Sequence, residues 1–213
     1  MIQGWLRSDG RKGIRNVVAV AYLVECAHHV ARRIVDKADD PDVQLIGFPG
    51  CYPNAYAAKV MEAIATHPNV GGLVIVSLGC ESFNREKLRA VVEASGRPAE
   101  LLVIQEKGGT AATIAAGLEA VDRVRAQIAS VERVPMGVDE LVVATICGGS
   151  DGTSGITANP AVGRAWLDGE EAAVPVKARS QARGPEAPVS DSIPRSASKK
   201  SIERRSARAG ELN

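Results

Sequence analysis

Apolar residues occur along the chain in two patterns that alternate. Short unbroken runs, rich in β-branched side chains, occupy residues 17–24, 43–48, 72–78, 101–104 and 141–146. Continuous apolar runs of this length are the mark of strands buried on both faces. Between them the apolar positions recur at helical spacing. Residues 27–38 place Val30, Ile34 and Val35 on one face, and a helix after Asn54 carries Ala57, Val60, Met61 and Ile64. Asn84 supplies a cap for a helix bearing Leu88, Val91 and Val92 that stops at Gly96, and Thr110 one for a long helix with Ile114, Leu118, Val121 and Ile128 on a stripe. Strands and helices in alternation with short connections predict an α/β fold, a doubly wound and mostly parallel sheet over residues 1–134. Residues 131–137 read as a linker. The run at 141–146 then passes into a glycine-rich loop and a helix start at Asn159-Pro160, which predicts the beginning of a second α/β lobe over 135–166.

After Trp166 the periodicity fades. Residues 167–213 have scattered Pro, Ser, Ala and Arg and no aromatic side chain, too little apolar surface to offset the entropy of ordering. They read as a solvated tail, and the abrupt change of character suggests a segment translated out of frame. The tail also predicts a truncated chain. Net charge is +1 and aromatics are 3% of the 213 residues, which removes a global pull toward nucleic acid and base-stacking platforms. No apolar run approaches the ~20 residues of a membrane helix. The amino terminus has no secretory h-region, so a cytoplasmic location is expected.

Candidate chemistry collects where strands end. Cys26, Cys51, Cys80 and Cys147 each follow an apolar run, accompanied by Glu25, Glu81, Glu106 and Asp151. If the strands are parallel neighbours, their carboxyl ends share one edge of the sheet, where ligands bind in such folds. Thiolates with carboxylates suit a divalent transition metal, iron before magnesium. Buried cysteines that merely fill space are the bland alternative. His28, His29 and His67 read as packing or surface residues, and Met61 as core filling. The polar stretch from Arg7 through Arg11 and Arg15 to Asn16 suits an anion clamp, since guanidinium forks bind carboxylates bidentately; a solvated loop is the other reading. Gly108-Gly109-Thr110, feeding a helix, is a further place for an anion. No phosphate-loop or dinucleotide fingerprint is present.

Several of these segments together carry a resemblance. Arg7-x-Asp9-Gly10-Arg11-x-Gly13-x-Arg15-Asn16, Leu78-Gly79-Cys80-Glu81, Gln105-Glu106-x-Gly108-Gly109-Thr110, and Cys147-Gly148-Gly149-Ser150-Asp151 with residues 154–160 resemble the altronate/galactarate dehydratase family over residues 2–166. The resemblance implies a lyase that eliminates water from a 2-hydroxy acid, giving a 2-keto-3-deoxy acid with help from a divalent metal such as Fe2+. It implies metal ligands among Cys51, Cys80, Glu81 and Cys147, with Cys26 as a further candidate. Asp151 or Glu106 would be the base, with Ser150 beside it. Arg7, Arg11, Arg15, Asn16 and the Gly108-Gly109-Thr110 amides would hold the substrate. The segment Pro49-Gly50-Cys51-Tyr52-Pro53-Asn54 departs from the sugar-acid enzymes and is more like the large subunits of split members such as sulfolactate sulfo-lyase. That implies a separate small subunit, and the family a homo-oligomer. The competing class is a truncated α/β module that binds a small acid without turnover.

Overall fold

The computed structural model describes residues 2–142 and 152–171. Its centre is a four-stranded parallel sheet in the order β4-β3-β5-β6, formed by β3 (Val17–Tyr22), β4 (Val43–Gly47), β5 (Val70–Ser77) and β6 (Ala99–Val103). The chain moves outward from β3 to β4, then returns past β3 to lay down β5 and β6. The order therefore reverses between β3 and β5. Both central strands are buried almost throughout, as their unbroken apolar sequences require.

Helices cover both faces. On one, α1 (Glu25–Ala38) and α4 (Thr110–Ile128) bury Val30, Ile34, Val121 and Val124 against Val18, Val20, Val74 and Val76. The helices touch closely because α4 has no side chain at Gly117, where a Cβ would lie 2.7 Å from Cγ1 of Ile34. On the other face, α2 (Ala55–Ala65) and α3 (Arg85–Ala94) bury Met61, Ala65, Leu88 and Val92 against Ala19, Leu73 and Ile75. The α/β class expected from the periodicity is thus what the chain forms.

Several local expectations change. Val60 and Ile64 of α2 are exposed, because Met61 and Ala65 form the inward face. Thr110 is the first residue of α4 and not its cap; Gly109 holds that position at φ +100°, where a side chain would be strained. Residues 131–137 are not a linker: β7 (Arg133–Met136) pairs antiparallel with β1 (Ile2–Leu6), which also pairs with β2 (Lys12–Gly13) to make a small second sheet. Trp5 of β1 lies under the guanidinium of Arg133, 4.5 Å from ring centre to carbon. A 3-10 turn (Val138–Glu140) follows β7, and α5 (Ala158–Glu171) begins just before the expected cap. Of the strand expected at 141–146 only Leu141 and Val142 are described; neither is in a strand, and Val142 is exposed. Helix α5 runs five residues into the tail expected over 167–213, and the remainder of that tail, from residue 172 onward, lies outside the described residues, as do Cys147, Ser150 and Asp151.

Candidate active site

Every strand of a parallel sheet ends on the same side, and here the four following loops are stitched together. Glu25 N donates to Pro49 O (3.1 Å), Ser82 N to Cys51 O (3.0 Å) and Gln105 N to Leu78 O (3.2 Å). The amino ends of α1 to α4 open on this rim, so their dipoles present positive partial charge to it. The reversal between β3 and β5 opens the crevice that favours ligands in such sheets. The loop after β5, residues 78–84, borders it.

That loop is held by four devices. Phe83 is buried and meets Phe48 with ring centres 6.0 Å apart. Asn84 caps α3 by accepting from Lys87 N at 2.9 Å. Gly79 turns at φ +122°, and a Cβ there would meet Gln105 Oε1 at 2.6 Å. Glu81 then folds back over the strand end, accepting from Ser77 Oγ and, at 2.8 Å, from Gly79 N. Burial alone would raise its carboxyl pKa. The bonds from Ser77 and the backbone N–H groups, with the charge of Arg85, outweigh that and hold it below the ordinary carboxylate range. Glu81 is therefore a fixed anion.

Arg85 completes the group. Its Nη1 donates to Ser77 Oγ at 3.3 Å, while Nη2 stands 4.0 Å from Glu106 Oε1. Ser77 is fully buried, Arg85 is partly exposed, and the Glu106 side chain is 70% exposed. One end of the row is anchored in the core and the other faces solvent. Ser77 and Arg85 were not singled out from the sequence. The one readable signal was a serine closing the otherwise apolar run of β5.

The remaining candidates divide between the two ends of the sheet. Cys26, Cys51 and Cys80 lie on the carboxyl rim and are exposed. Gly108, Gly109 and Thr110 lie there too, at the start of α4, with open space around both glycines. The arginine stretch lies at the opposite end, roughly 20 Å away across strands of this length. Arg7 is buried, and its Nε, Nη1 and Nη2 donate to Pro68 O (2.7 Å), Asn16 Oδ1 (3.0 Å) and Arg15 O (3.1 Å). Arg11 binds Asp9 and Thr66 O, Arg15 binds Asp42 and Pro41 O, and Asn16 donates to Ile128 O. These side chains fasten the amino-terminal segment to the sheet. They do not meet the Gly108-Gly109-Thr110 amides, and the two halves of the expected clamp cannot grip one small substrate within this chain.

Among the known proteins, the profile of the second domain of D-galactarate dehydratase/altronate hydrolase matches residues 4–129, and the D-galactarate/altronate dehydratase C-terminal profile matches residues 138–174. The chain belongs to the D-galactarate dehydratase/altronate hydrolase family. Altronate dehydratase of Escherichia coli K12 is 27% identical over 177 residues, covering 76% of this chain and 35% of that protein. Galactarate dehydratase (L-threo-forming) of the same organism is 31% identical over 187 residues, covering 76% of this chain and 36% of that protein. The (2R)-sulfolactate sulfo-lyase subunit beta of Chromohalobacter salexigens is 28% identical over 170 residues, 76% of this chain and 42% of that subunit. The chain thus spans about a third of the length of the altronate and galactarate dehydratases it matches. No solved structure matches it.

Within this dehydratase and lyase family, the metal expected from the resemblance can be tested against the described side chains. No three of their His, Cys, Asp or Glu residues are placed to hold a metal ion. Glu81 has both oxygens engaged by Ser77 and Gly79. The described residues alone do not make a metal centre. None of the described helices is long and apolar enough to cross a membrane.

Proposed function

We propose that this chain carries part of the active site of a lyase that eliminates water from a 2-hydroxy sugar acid. The observation that carries the reading is the Ser77–Glu81–Arg85–Glu106 row on the loop-stitched carboxyl rim, in a chain whose family is one of dehydratases and lyases. Arg85 receives the substrate carboxylate, because it is the cation that this row holds at the rim. Glu81 is a positioning residue: through Ser77 and its own charge it fixes the guanidinium. Glu106 is the base within reach of a substrate on Arg85, and it removes the proton from the carbon beside the carboxylate. The C–O bond on the next carbon then breaks, an acid protonates the departing hydroxide to water, and the enol so formed tautomerises to a 2-keto-3-deoxy acid. Asp151 and Ser150, outside the described residues, are the candidates for that acid.

A divalent metal belongs to this reading. Cys51 and Cys80, on loops joined by the Ser82–Cys51 bond, would be two ligands, with Cys147 from beyond the described residues as a third. When bound, it would supply Lewis-acid stabilisation of charge at the substrate carboxylate. A separate small subunit and homo-oligomeric assembly belong to the same proposal.

A second reading follows from the sulfo-lyase relative and the cysteine loop at 49–54. There the same base removes the same proton, and the C–S bond breaks to release sulfite. Assays of water or sulfite release from altronate, galactarate and (2R)-sulfolactate, on the chain with and without a polypeptide supplying the rest of the family's length, separate the two. Equilibrium binding of each acid to Arg85→Met and Glu106→Gln proteins is the companion measurement. Binding that persists unchanged in Arg85→Met would remove the assignment, and binding without turnover in any combination would make the chain a non-catalytic module.

A further inference from the structure

The parallel sheet has two edges, and they are built differently. Strand β6 starts just after Pro98 and carries Glu100, bound by Arg123 of α4 at 3.1 Å. A proline and a charged side chain are two of the devices by which edge strands refuse a partner. Strand β4, at the other edge, has neither. The nearest ion pair, Arg15 with Asp42, stops at its foot.

Backbone bonding shows what that edge offers. Val18 N donates to Asp42 O (2.8 Å) and Phe48 N to Tyr22 O (3.0 Å), so the even-numbered residues from Asp42 to Phe48 turn their backbone groups to β3. The odd-numbered ones turn theirs outward. Val43 N donates to Asp40 O in the preceding turn. That leaves Val43 O and both backbone groups of Leu45 and Gly47 with no strand beside them among the described residues.

The helix beside this edge is apolar on its outer flank. Glu62 of α2 is bound to Lys87 of α3 at 2.6 Å, so that flank of α2 faces α3. Val60 and Ile64 each lie two residues from Glu62, about 200° round the helix and so on the flank toward β4. They are 36% and 39% exposed, and Tyr56, one turn before Val60, is 75% exposed. Ile46 and Phe48, on the same face of the sheet, are only partly buried.

We infer that the free edge of β4 is where a second copy of this chain joins, antiparallel about a twofold axis at Leu45, so that the two four-stranded sheets become one. A twofold contact must be self-complementary, and this one is. Leu45 exchanges both backbone bonds with Leu45 of the second copy, and Gly47 N donates to the other copy's Val43 O. The five residues of β4 and the eleven of α2 span the same length, about 17 Å. Val60 therefore stands level with Leu45, near the axis, and Tyr56 of each copy meets Ile64 of the other. Three layers, each about 10 Å thick, cover roughly 500 Å² of each copy in projection over that length. Specific dimers bury ~600–1,000 Å² a side, so the association expected is reversible. This gives a surface to the homo-oligomer proposed above. It uses neither Arg85 nor Glu106, so either proposal can fail alone.

Sedimentation velocity of the full chain over a wide range of concentration tests it. A monomer–dimer equilibrium is expected, with hydrogen exchange at the Leu45 and Gly47 amides slowing as dimer forms. Tyr56→Lys and Ile64→Glu each put an unpaired charge into the contact and should weaken association about tenfold or more. Both positions are exposed, so thermal midpoints should stay near the parent's. Mixing the two variants sets the new lysine against the new glutamate and should restore the dimer. Arg85→Met should dimerise as the parent does. A monomer at every concentration, a dimer indifferent to both substitutions, or a mixture no better than its components would each overturn the assignment.

Discussion

Glu81 reaches back over the strand it follows, and the carboxylate so placed is bonded by a buried hydroxyl and a glycine N–H. Those bonds favour its charged form, so its folded pKa is depressed and the stability it contributes is present above the ordinary carboxylate value and lost as pH falls through the folded one. Glu81→Gln should therefore lower stability near neutrality and flatten the acid limb of a stability–pH profile measured by urea unfolding, the two proteins converging at low pH. An acid limb unchanged from the parent would contradict the geometry. Arg7 is the opposite case, a residue whose polar character suggested a ligand and whose partners are carbonyls of the fold. Arg7→Met strands Pro68 O, Arg15 O and Asn16 Oδ1 with little access to water, at a cost of about 1–3 kcal/mol. A lower urea midpoint at an unchanged m-value is the expected result.

At the scale of elements, what could be read from the sequence is what local pattern determines. Val17–Tyr22 and Val70–Ser77 are central strands because apolar side chains on both faces leave them no exposed alternative. The gathering of cysteine loops on one rim follows from parallel pairing alone. The second sheet was not legible: β2 is two residues long, β1 exposes most of its side chains, and the other partner of β1, β7, lies some 130 residues away, so no window of sequence contains that pair. The row of Ser77, Arg85 and Glu81 escaped for a related reason, since single polar residues become a site only when a loop fold superimposes them. In α2, alanines and aliphatics surround the helix, and sequence spacing could not choose between Met61 with Ala65 and Val60 with Ile64. Gly13 tests how tightly the missed sheet is seated. A Cβ there would lie 2.7 Å from the carbonyl carbon of Pro68, and a backbone cannot rotate aside as a side chain can. Gly13→Ala should cost about 1–3 kcal/mol or more by overpacking, read as a drop in thermal midpoint.

For the whole molecule the question is where the cooperative unit closes. Both apolar clusters lie within residues 17–131, but the amino-terminal segment that seals the foot of the sheet is held from the far end of the chain. Four residue pairs join β1 to β7, Leu6 N donates to Glu132 O at 3.1 Å, and Lys12 binds Glu140 at 2.7 Å. Met136, 4% exposed, is the apolar anchor of that return. The described side chains of α5 are instead all exposed, and nothing described in either cluster comes from beyond Val131. A chain ending at Val142 should then unfold with the midpoint of the full chain, whereas one ending at Val131 should melt lower. Loss of Met136 burial alone, about 1.5–3 kcal/mol, corresponds to a drop of roughly 5 °C or more in a domain of this size. Calorimetry of the two truncations against the full chain decides it. Equal midpoints for both would mean that β7 only decorates the fold. A loss already complete at Val142 would mean that stability resides in the chain beyond, and that the parallel sheet is not a self-sufficient platform for the rim it carries.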